Sequence, residues 1–282
     1  MKKSNKSYQI TKLVLPVAGF GKRFLPQTKY LAKEMFPILN TPIMHYLVSE
    51  AISAGITEII VVLSRAKNSI VEYFSNNFNT WKNVKINLVY QEKQLGLGHA
   101  IRCAEPYCNK EPFAVLLGDD IYCPKKNEDS PLKECIDAFK KCKCTVIGVQ
   151  KVVDEHVNKY GIVDFGKKIA NNVYHVKRVV EKPQLGKNPS NYAILGRYVF
   201  TPDIFKELAK TRAGKGHEIQ ITDAIEKQVQ KNKVCACTFK GTRFDTGYAL
   251  GYVKALTYTA LHTNDVKDEY IKFLEETLKK YK

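Results

Sequence analysis

The sequence predicts an α/β fold: a mixed, mainly parallel central sheet flanked by helices, with a smaller antiparallel portion. Three observations carry this prediction. Short, near-continuous apolar runs, KLVLPV at 12–17, EIIVVL at 58–63 and FAVLL at 113–117, have the character of strands buried on both faces. Segments of helical periodicity separate them, so strand and helix alternate. After residue 160 the pattern changes to strand-like runs with short connections, as antiparallel pairing allows.

In chain order, Lys12–Val17 is the first strand and runs straight into a glycine loop. A helix from about Pro42 to Ala54 is stopped by Gly55, and Glu58–Leu63 is the second strand. Asn68–Phe74 reads as helix, Val84–Tyr90 as the third strand and Gly98–Cys108 as helix. Phe113–Leu117 is the fourth strand and ends in Gly118-Asp119-Asp120; a helix near Leu132–Lys140 precedes a fifth strand, Thr145–Val152. Gly161–Phe165, Val173–Val180 and Tyr192–Phe200 are the antiparallel strands. Thr201 fits an N-cap with Pro202 at the first helical position. Further helices are expected at Thr222–Gln230, Tyr248–His262 and Lys267–Lys280. The expected organisation is a basic extension over 1–11, one domain over 12–262 and a helical tail over 263–282.

At 44% hydrophobic and 11% aromatic residues, the 282-residue chain can bury a sizeable core and does not read as disordered. No apolar run approaches the roughly 18 residues needed to span a bilayer, which predicts no membrane partner. The 45 lysines and arginines exceed the 28 acids, a formal charge of +17 that favours anionic partners. These charges are spread along the chain and do not gather in one arm or interleave with exposed aromatics, which argues against nucleic acid. The eight cysteines include no C-x-x-C pair; Cys142 with Cys144, and Cys235 with Cys237, are spaced i, i+2 on apparent strands. They read as reduced, mostly buried thiols of a cytoplasmic protein, with zinc as the alternative.

The strongest local signal is LPVAGFGKRFLP at 15–26, placed where α/β sheets bind ligands, at the carboxyl end of a strand. Gly19 and Gly21 let backbone N–H groups turn toward an anion, and Lys22, Arg23, Lys29 and Lys33 supply cations. It is neither the dinucleotide fingerprint nor a Walker A loop, and an ordinary glycine turn with solvated lysines explains it equally well. Asp119, at the end of a strand, suits a hard divalent ion, although a capping aspartate is the commoner reason for a lone Gly-Asp. FDTG at 244–247 offers a second carboxylate, Asp245; if the fold joins it to Asp119, the two would grip Mg²⁺. Glu181 can accept from sugar hydroxyls and Lys182 suits a phosphate monoester, provided Pro183 ends their strand. In LGLGHA at 95–100 the glycines would let a base lie on the backbone, with Gln91 reading a pyrimidine edge; His99 reads as a packed helix-start histidine.

Together these motifs resemble the sugar-phosphate nucleotidyltransferase family over Lys12–Leu261. The most specific stretches are PVAGFGKRFLPQTKYLAKEMFPI (16–38), YQEKQLGLGHAI (90–101), VVEKP (179–183), NPSNYAILGRYVF (188–200) and GHEIQITDAI (216–225). The resemblance implies a Rossmann-like nucleotide-diphospho-sugar transferase fold and an activity that joins UTP to glucose 1-phosphate, giving UDP-glucose and pyrophosphate. It implies that Ala18, Gly19 and Gly21 contact the nucleotide, with Glu34, Gln91 and Gly96 around the uracil. Arg23 and Lys33 would hold the triphosphate, and Asp119 and Asp245 the Mg²⁺. Lys182 would take the sugar phosphate, and Gly161, Glu181 and Asp120 the sugar hydroxyls. A homo-oligomer, dimer or tetramer, is also implied. Lys22 stands where the family's loop commonly has threonine, Gly118 where this subfamily often has proline or alanine, and the 75–83 stretch is short. The nearest rival is a relative using dTTP; a non-catalytic relative would be expected to lose Arg23, Asp119 or Lys182.

Overall fold

Side-chain alternation along the first strand divides its apolar residues between two cores, and the rest of the architecture follows from filling both. The structure is a computed structural model that describes residues 9–77, 80–81, 83–123, 128–214 and 217–281. Most of the basic extension, and residues 78, 79 and 82 of the short 75–83 stretch, lie outside the described residues.

The elements run β1 (Lys12–Pro16), β2 (Pro37–Ile38), β3 (Thr41–Pro42), α1 (Ile43–Ser53), β4 (Glu58–Leu63), α2 (Asn68–Asn76), β5 (Lys85–Tyr90), α3 (Leu97–Cys103), β6 (Phe113–Leu116) and β7 (Asp120–Cys123). They continue with α4 (Pro131–Cys142), β8 (Thr145–Lys151), β9 (Gly161–Ala170), β10 (Val173–Glu181), β11 (Tyr192–Phe200), α5 (Ile204–Ala209), α6 (Ile221–Val229), β12 (Val234–Thr238), β13 (Thr242–Asp245), α7 (Ala249–Leu261) and α8 (Asn264–Lys279). Nine strands form one sheet in the order β5-β4-β1-β6-β11-β8-β12-β10-β9. β5, β4, β1 and β6 are parallel, as are β8 and β12, whereas β11 and β10 run against their neighbours. The β9–β10 ribbon pairs at one end with β12 and at the other returns to β11, with Ile162 opposite Ala193.

Leu13, Leu15, Ile59, Val61, Ala114 and Leu116 face a core filled by α1, α2 and α4. Val14, Ile60, Val62, Phe113 and Val115 face the other, filled by α3, α5 and α6. Both faces are covered, which is why these strands read as continuous apolar runs. Helix α4 shows the local logic: Ser130 Oγ accepts from the Lys133 N–H at 3.2 Å, Pro131 occupies the first turn and Lys143 ends the helix at φ 53°. By contrast, α8 buries none of its residues and packs on α7.

The structure corrects several expected boundaries. The 98–108 helix breaks after Cys103 and resumes as a 3₁₀ turn over Glu105–Tyr107, because Pro106 lacks the N–H that would continue it. Thr201 does not cap a helix beginning at Pro202: its hydroxyl bonds Asp203, and α5 starts at Ile204. Cys142 ends α4 and Cys144 lies in the bend before β8, so this pair does not share a strand; Cys235 and Cys237 do lie on β12. All eight cysteines are free, four buried and four half-buried. Among the described residues, no helix is long and apolar enough to cross a membrane.

Candidate active site

The loops after β1, β5 and β6 leave the carboxyl ends of strands in the parallel part of the sheet, and a cleft of roughly 400 Å³ opens between them. Its lining includes Ala18, Gly19, Lys22, Lys33, Glu34, Gln91, Gly96, Gly118, Asp119 and Glu218. A larger cleft, about 790 Å³, opens between the 105–110 turn and α5, but it has neither a glycine cradle nor paired carboxylates.

At the Gly19 position an added Cβ would meet nothing within 4 Å, so the free backbone there is open to an incoming group. Gly118, by contrast, fills a tight place: a Cβ would lie 2.6 Å from Val17 and 3.1 Å from Glu34 Cγ. Gly21 takes φ 63° and its carbonyl accepts from Thr28 Oγ1 at 3.0 Å, which folds the glycine loop back on itself. Arg23 is exposed in the 3₁₀ turn after it and does not line the cleft.

The far wall is made by the 95–98 segment against the strip before α6. Ile219 N–H donates to Leu95 O at 2.7 Å, and Gly98 N–H donates to Ile219 O at 2.9 Å. Gly96 is held at φ 92°, where a Cβ would come within 3.1 Å of the Ile219 backbone and 2.7 Å of Glu218 Cβ. Gly96→Ala therefore costs about 1–3 kcal/mol in backbone conformation alone, since φ 92° with ψ 179° is a region open essentially to glycine, and distorts this wall. For the nucleotide that the resemblance implies at this wall, the expected result is a several-fold rise in KM with a smaller change for the second substrate, read from steady-state kinetics. Gln91 is buried, and its amide N–H₂ lies 3.2 Å from Gly96 O and 2.9 Å from His99 Nδ1. His99 thus orients Gln91, leaving the amide oxygen as an acceptor for a base N–H. Glu34 is also buried; one of its oxygens accepts from Lys67 Nζ at 2.6 Å. Burial lowers the Lys67 pKa despite that partner.

The floor brings together carboxylates more than a hundred residues apart. Strands β7 and β13 form an antiparallel pair with Asp245 opposite Asp120. Asp119, just before β7, is pinned there because its carbonyl accepts from both the N–H and the hydroxyl of Thr246, at 2.8 and 3.0 Å. Gly247 lies beneath: a Cβ on it would be 2.7 Å from Asp119 Oδ2 and 2.9 Å from Asp245 Oδ1. Two oxygens thus converge over a residue without a side chain, a donor set that fits a hard divalent ion. Burial and the Asp119 charge push the Asp245 pKa up. For Asp119, burial works the other way from its partners, but the charge and hydrogen bond of Lys33, 2.5 Å away, hold its carboxyl below the usual range. Burial likewise opposes the Lys33 ammonium, and Asp119 with Glu34 outweighs it, raising its pKa.

Asp120 has a different task from the sugar contact expected of it. It is 3% exposed, and its two oxygens accept from Arg197 Nη1 and Arg243 Nε, each at 2.6 Å. Arg197 is fully buried and also binds Glu50 through two bonds, at 2.9 and 2.7 Å. The carboxylate is therefore committed to the structure under Asp119.

Gly161, Glu181 and Lys182 meet where β9 and β10 begin and end, with Glu181 opposite Gly161. The strand stops at Glu181, and Lys182 takes φ 45°, so adjacent residues reach the same side: Lys182 Nζ lies 3.3 Å from Glu181 Oε1. Thr222 Oγ1 donates to Glu181 Oε2 at 2.7 Å. Tyr160 joins this corner to the floor, since its carbonyl accepts from Lys182 N–H at 3.0 Å and its hydroxyl donates to Asp245 Oδ2 at 3.2 Å. Tyr160, Thr222, Arg243 and Arg197 were not anticipated from the sequence. Thr222 and Arg197 stand within singled-out stretches, GHEIQITDAI and NPSNYAILGRYVF, but neither was given a role there.

An anion cradle at the carboxyl ends of parallel strands, beside paired carboxylates, is the arrangement of a nucleotidyltransferase, and the chain belongs to the nucleotidyl transferase family, whose model matches residues 12–260. Its relatives narrow the class. The UTP–glucose-1-phosphate uridylyltransferase of Bacillus subtilis (strain 168) is 39% identical over 291 residues, covering 96% of this chain and 98% of that protein. A solved UDP-glucose pyrophosphorylase complexed with UDP-glucose superposes with TM-score 0.85 at 39% identity, over 90% of this chain and 100% of the other. A UTP-bound UGPase from Acinetobacter baumannii gives 0.84 at 34% identity, over 95% and 99% of the two chains. Enzymes of this family generally use a divalent metal.

Proposed function

We propose that this chain transfers the uridylyl group of UTP to glucose 1-phosphate, forming UDP-glucose and pyrophosphate, through a nucleotidyltransferase unit over residues 12–262. The observation that carries the reading is the convergence of Asp119 and Asp245 over Gly247, between the glycine-loop cleft and the Gly161–Glu181–Lys182 corner.

UTP lies in the cleft, its uracil near Gln91, Gly96 and Glu34 and its phosphates along Ala18, Gly19, Gly21, Lys22 and Lys33. Arg23 swings in from the exposed loop to the departing pyrophosphate. Asp119 and Asp245 hold Mg²⁺, which when bound supplies positive charge to the phosphate oxygens. Lys182 holds the phosphate of glucose 1-phosphate, while Glu181 and the Gly161 backbone face the sugar hydroxyls. The sugar-phosphate oxygen attacks the α-phosphorus, the bond to the β-phosphate oxygen breaks and pyrophosphate leaves. The attacking oxygen is already anionic at neutral pH, so no residue has to take its proton. The protein's task is alignment and charge neutralisation of two polyanions.

The test is pyrophosphate release from UTP, dTTP and GTP, each offered with several hexose 1-phosphates. Turnover is expected to be fastest with UTP and glucose 1-phosphate; a clear preference for dTTP, or no release with any pair, contradicts the reading. Lys182→Ala should raise KM for glucose 1-phosphate roughly 10–100-fold, the worth of one charge-assisted hydrogen bond, while leaving KM for UTP nearly unchanged. A second copy of the chain is the partner for α7 and α8, which expose Leu250, Val253, Phe273 and Leu278.

A further inference from the structure

Three cysteines unrelated to the catalytic cleft come together at the opposite end of the sheet's strands. The Sγ atoms of Cys142, Cys144 and Cys235 all lie within 4.8 Å of one another, and those of Cys144 and Cys235 are 3.2 Å apart. The topology explains the meeting. Cys142 is the last residue of α4, and Lys143 turns the chain back at φ 53°, a left-handed conformation unusual for a side chain of this type. Cys144 then sits one residue before β8, while Cys235 is the second residue of β12, which runs parallel to β8 with Cys235 opposite Val146. Residues two apart share a face, so Cys144 and Cys235 point the same way. Cys235 is also directly opposite His175 on β10, and His175 Nδ1 lies 4.0 Å from Cys235 Sγ.

We propose that Cys142, Cys144 and Cys235 bind a zinc ion, with His175 as the fourth ligand. Three thiolates and an imidazole form a soft, nitrogen- and sulfur-only donor set, the type that closes structural zinc sites and excludes the hard ions suited to Asp119 and Asp245. Tetrahedral Zn–S bonds of about 2.3 Å put the sulfurs about 3.8 Å apart, within the spread these three already occupy. Small side-chain rotations bring them to that spacing. His175 is exposed at the surface and free to swing its ring over Cys235.

The site lies at the amino-terminal ends of β8 and β12, whereas the catalytic loops leave the carboxyl ends of β1, β5 and β6. It ties the end of α4 to the root of the β9–β10 ribbon, which is joined to β12 by only the short Val173–His175 register. The far end of that ribbon carries Gly161 and Glu181. The ion therefore acts as a clamp on the ribbon's base, with no contact to substrate.

The experiment uses the full chain, purified under reducing conditions without chelator, and elemental analysis of the product. About one zinc per chain is expected, released on titration with a mercurial. Replacement by Co²⁺ should give a thiolate-to-cobalt charge-transfer band and the visible bands of tetrahedral coordination, a signature an oxygen-lined site does not produce. Cys142→Ser and Cys235→Ser should each abolish that band, His175→Ala should weaken or shift it, and Cys103→Ser should leave it intact. The Co²⁺ titration of the unaltered protein decides the matter even if a serine variant fails to fold. A chain without bound zinc that takes up Co²⁺ with no thiolate band overturns the proposal. So does a Cys144–Cys235 disulfide found by mass spectrometry in protein kept under reducing conditions.

Discussion

Asp119→Ala lowers the rate of pyrophosphate formation on the order of 10²–10³-fold, the usual cost of removing one preorganised charge contact, while the fold persists. The expectation rests on what Asp119 touches. Its backbone is fixed by Thr246, its carboxylate is paired with Lys33 at 2.5 Å, and it converges with Asp245 over Gly247. Removing the side chain takes away one of the two oxygens available to a divalent ion and leaves Lys33 without its partner. The side chain is partly exposed, about 32%, so its loss opens little cavity and the thermal midpoint should move by only a few degrees. A correctly folded Asp119→Ala protein with ordinary Mg²⁺-dependent turnover contradicts the metal assignment.

Arg197→Ala gives the largest expected loss of stability, about 3–5 kcal/mol, as breaking a buried ion pair leaves uncompensated charge behind. Arg197 is fully buried between Glu50 on α1 and Asp120 at the start of β7, and Glu50 Oε1 also accepts from the Leu132 N–H of α4 at 3.2 Å. Its removal strands Glu50 in the interior without a cation and leaves Asp120, adjacent to Asp119, with Arg243 alone. Thermal or urea unfolding should show a midpoint lowered by roughly 10 °C, and activity at low temperature should also fall because the Asp120 end of the β7–β13 pair loosens. A variant less than about 1 kcal/mol weaker than the parent would mean that this network does not support the floor.

The strands legible in the sequence were those buried on both faces. Residues such as Ile59–Leu63 and Phe113–Leu116 read as strands because no position faces water. The β7–β13 pair was not legible: three of the four residues of TRFD at 242–245 are polar, and its partner lies more than a hundred residues earlier. That pair decides the chemistry, since it alone explains why Asp119 and Asp245 meet. The glycine loop, Gln91 and Gly96 could be anticipated because they follow strands, where a parallel sheet places its ligands. Arg197 and Arg243 could not, because a buried arginine has no local sequence signature and is recognised only by the carboxylates around it. Asp120, expected beside the sugar, is turned inward to those arginines by strand alternation, an environment that its position next to Asp119 does not reveal. Cys142 looks like part of a strand in the sequence because the turn at Lys143 uses a residue that does not advertise a left-handed conformation.

The most direct test is a crystal of the chain grown with a non-hydrolysable UTP analogue and Mn²⁺, with anomalous scattering used to locate the metal. A peak between the carboxylates of Asp119 and Asp245, above Gly247 and against the analogue's phosphates, is the predicted result. A nucleotide-bound structure in which the manganese sits away from both aspartates would contradict it.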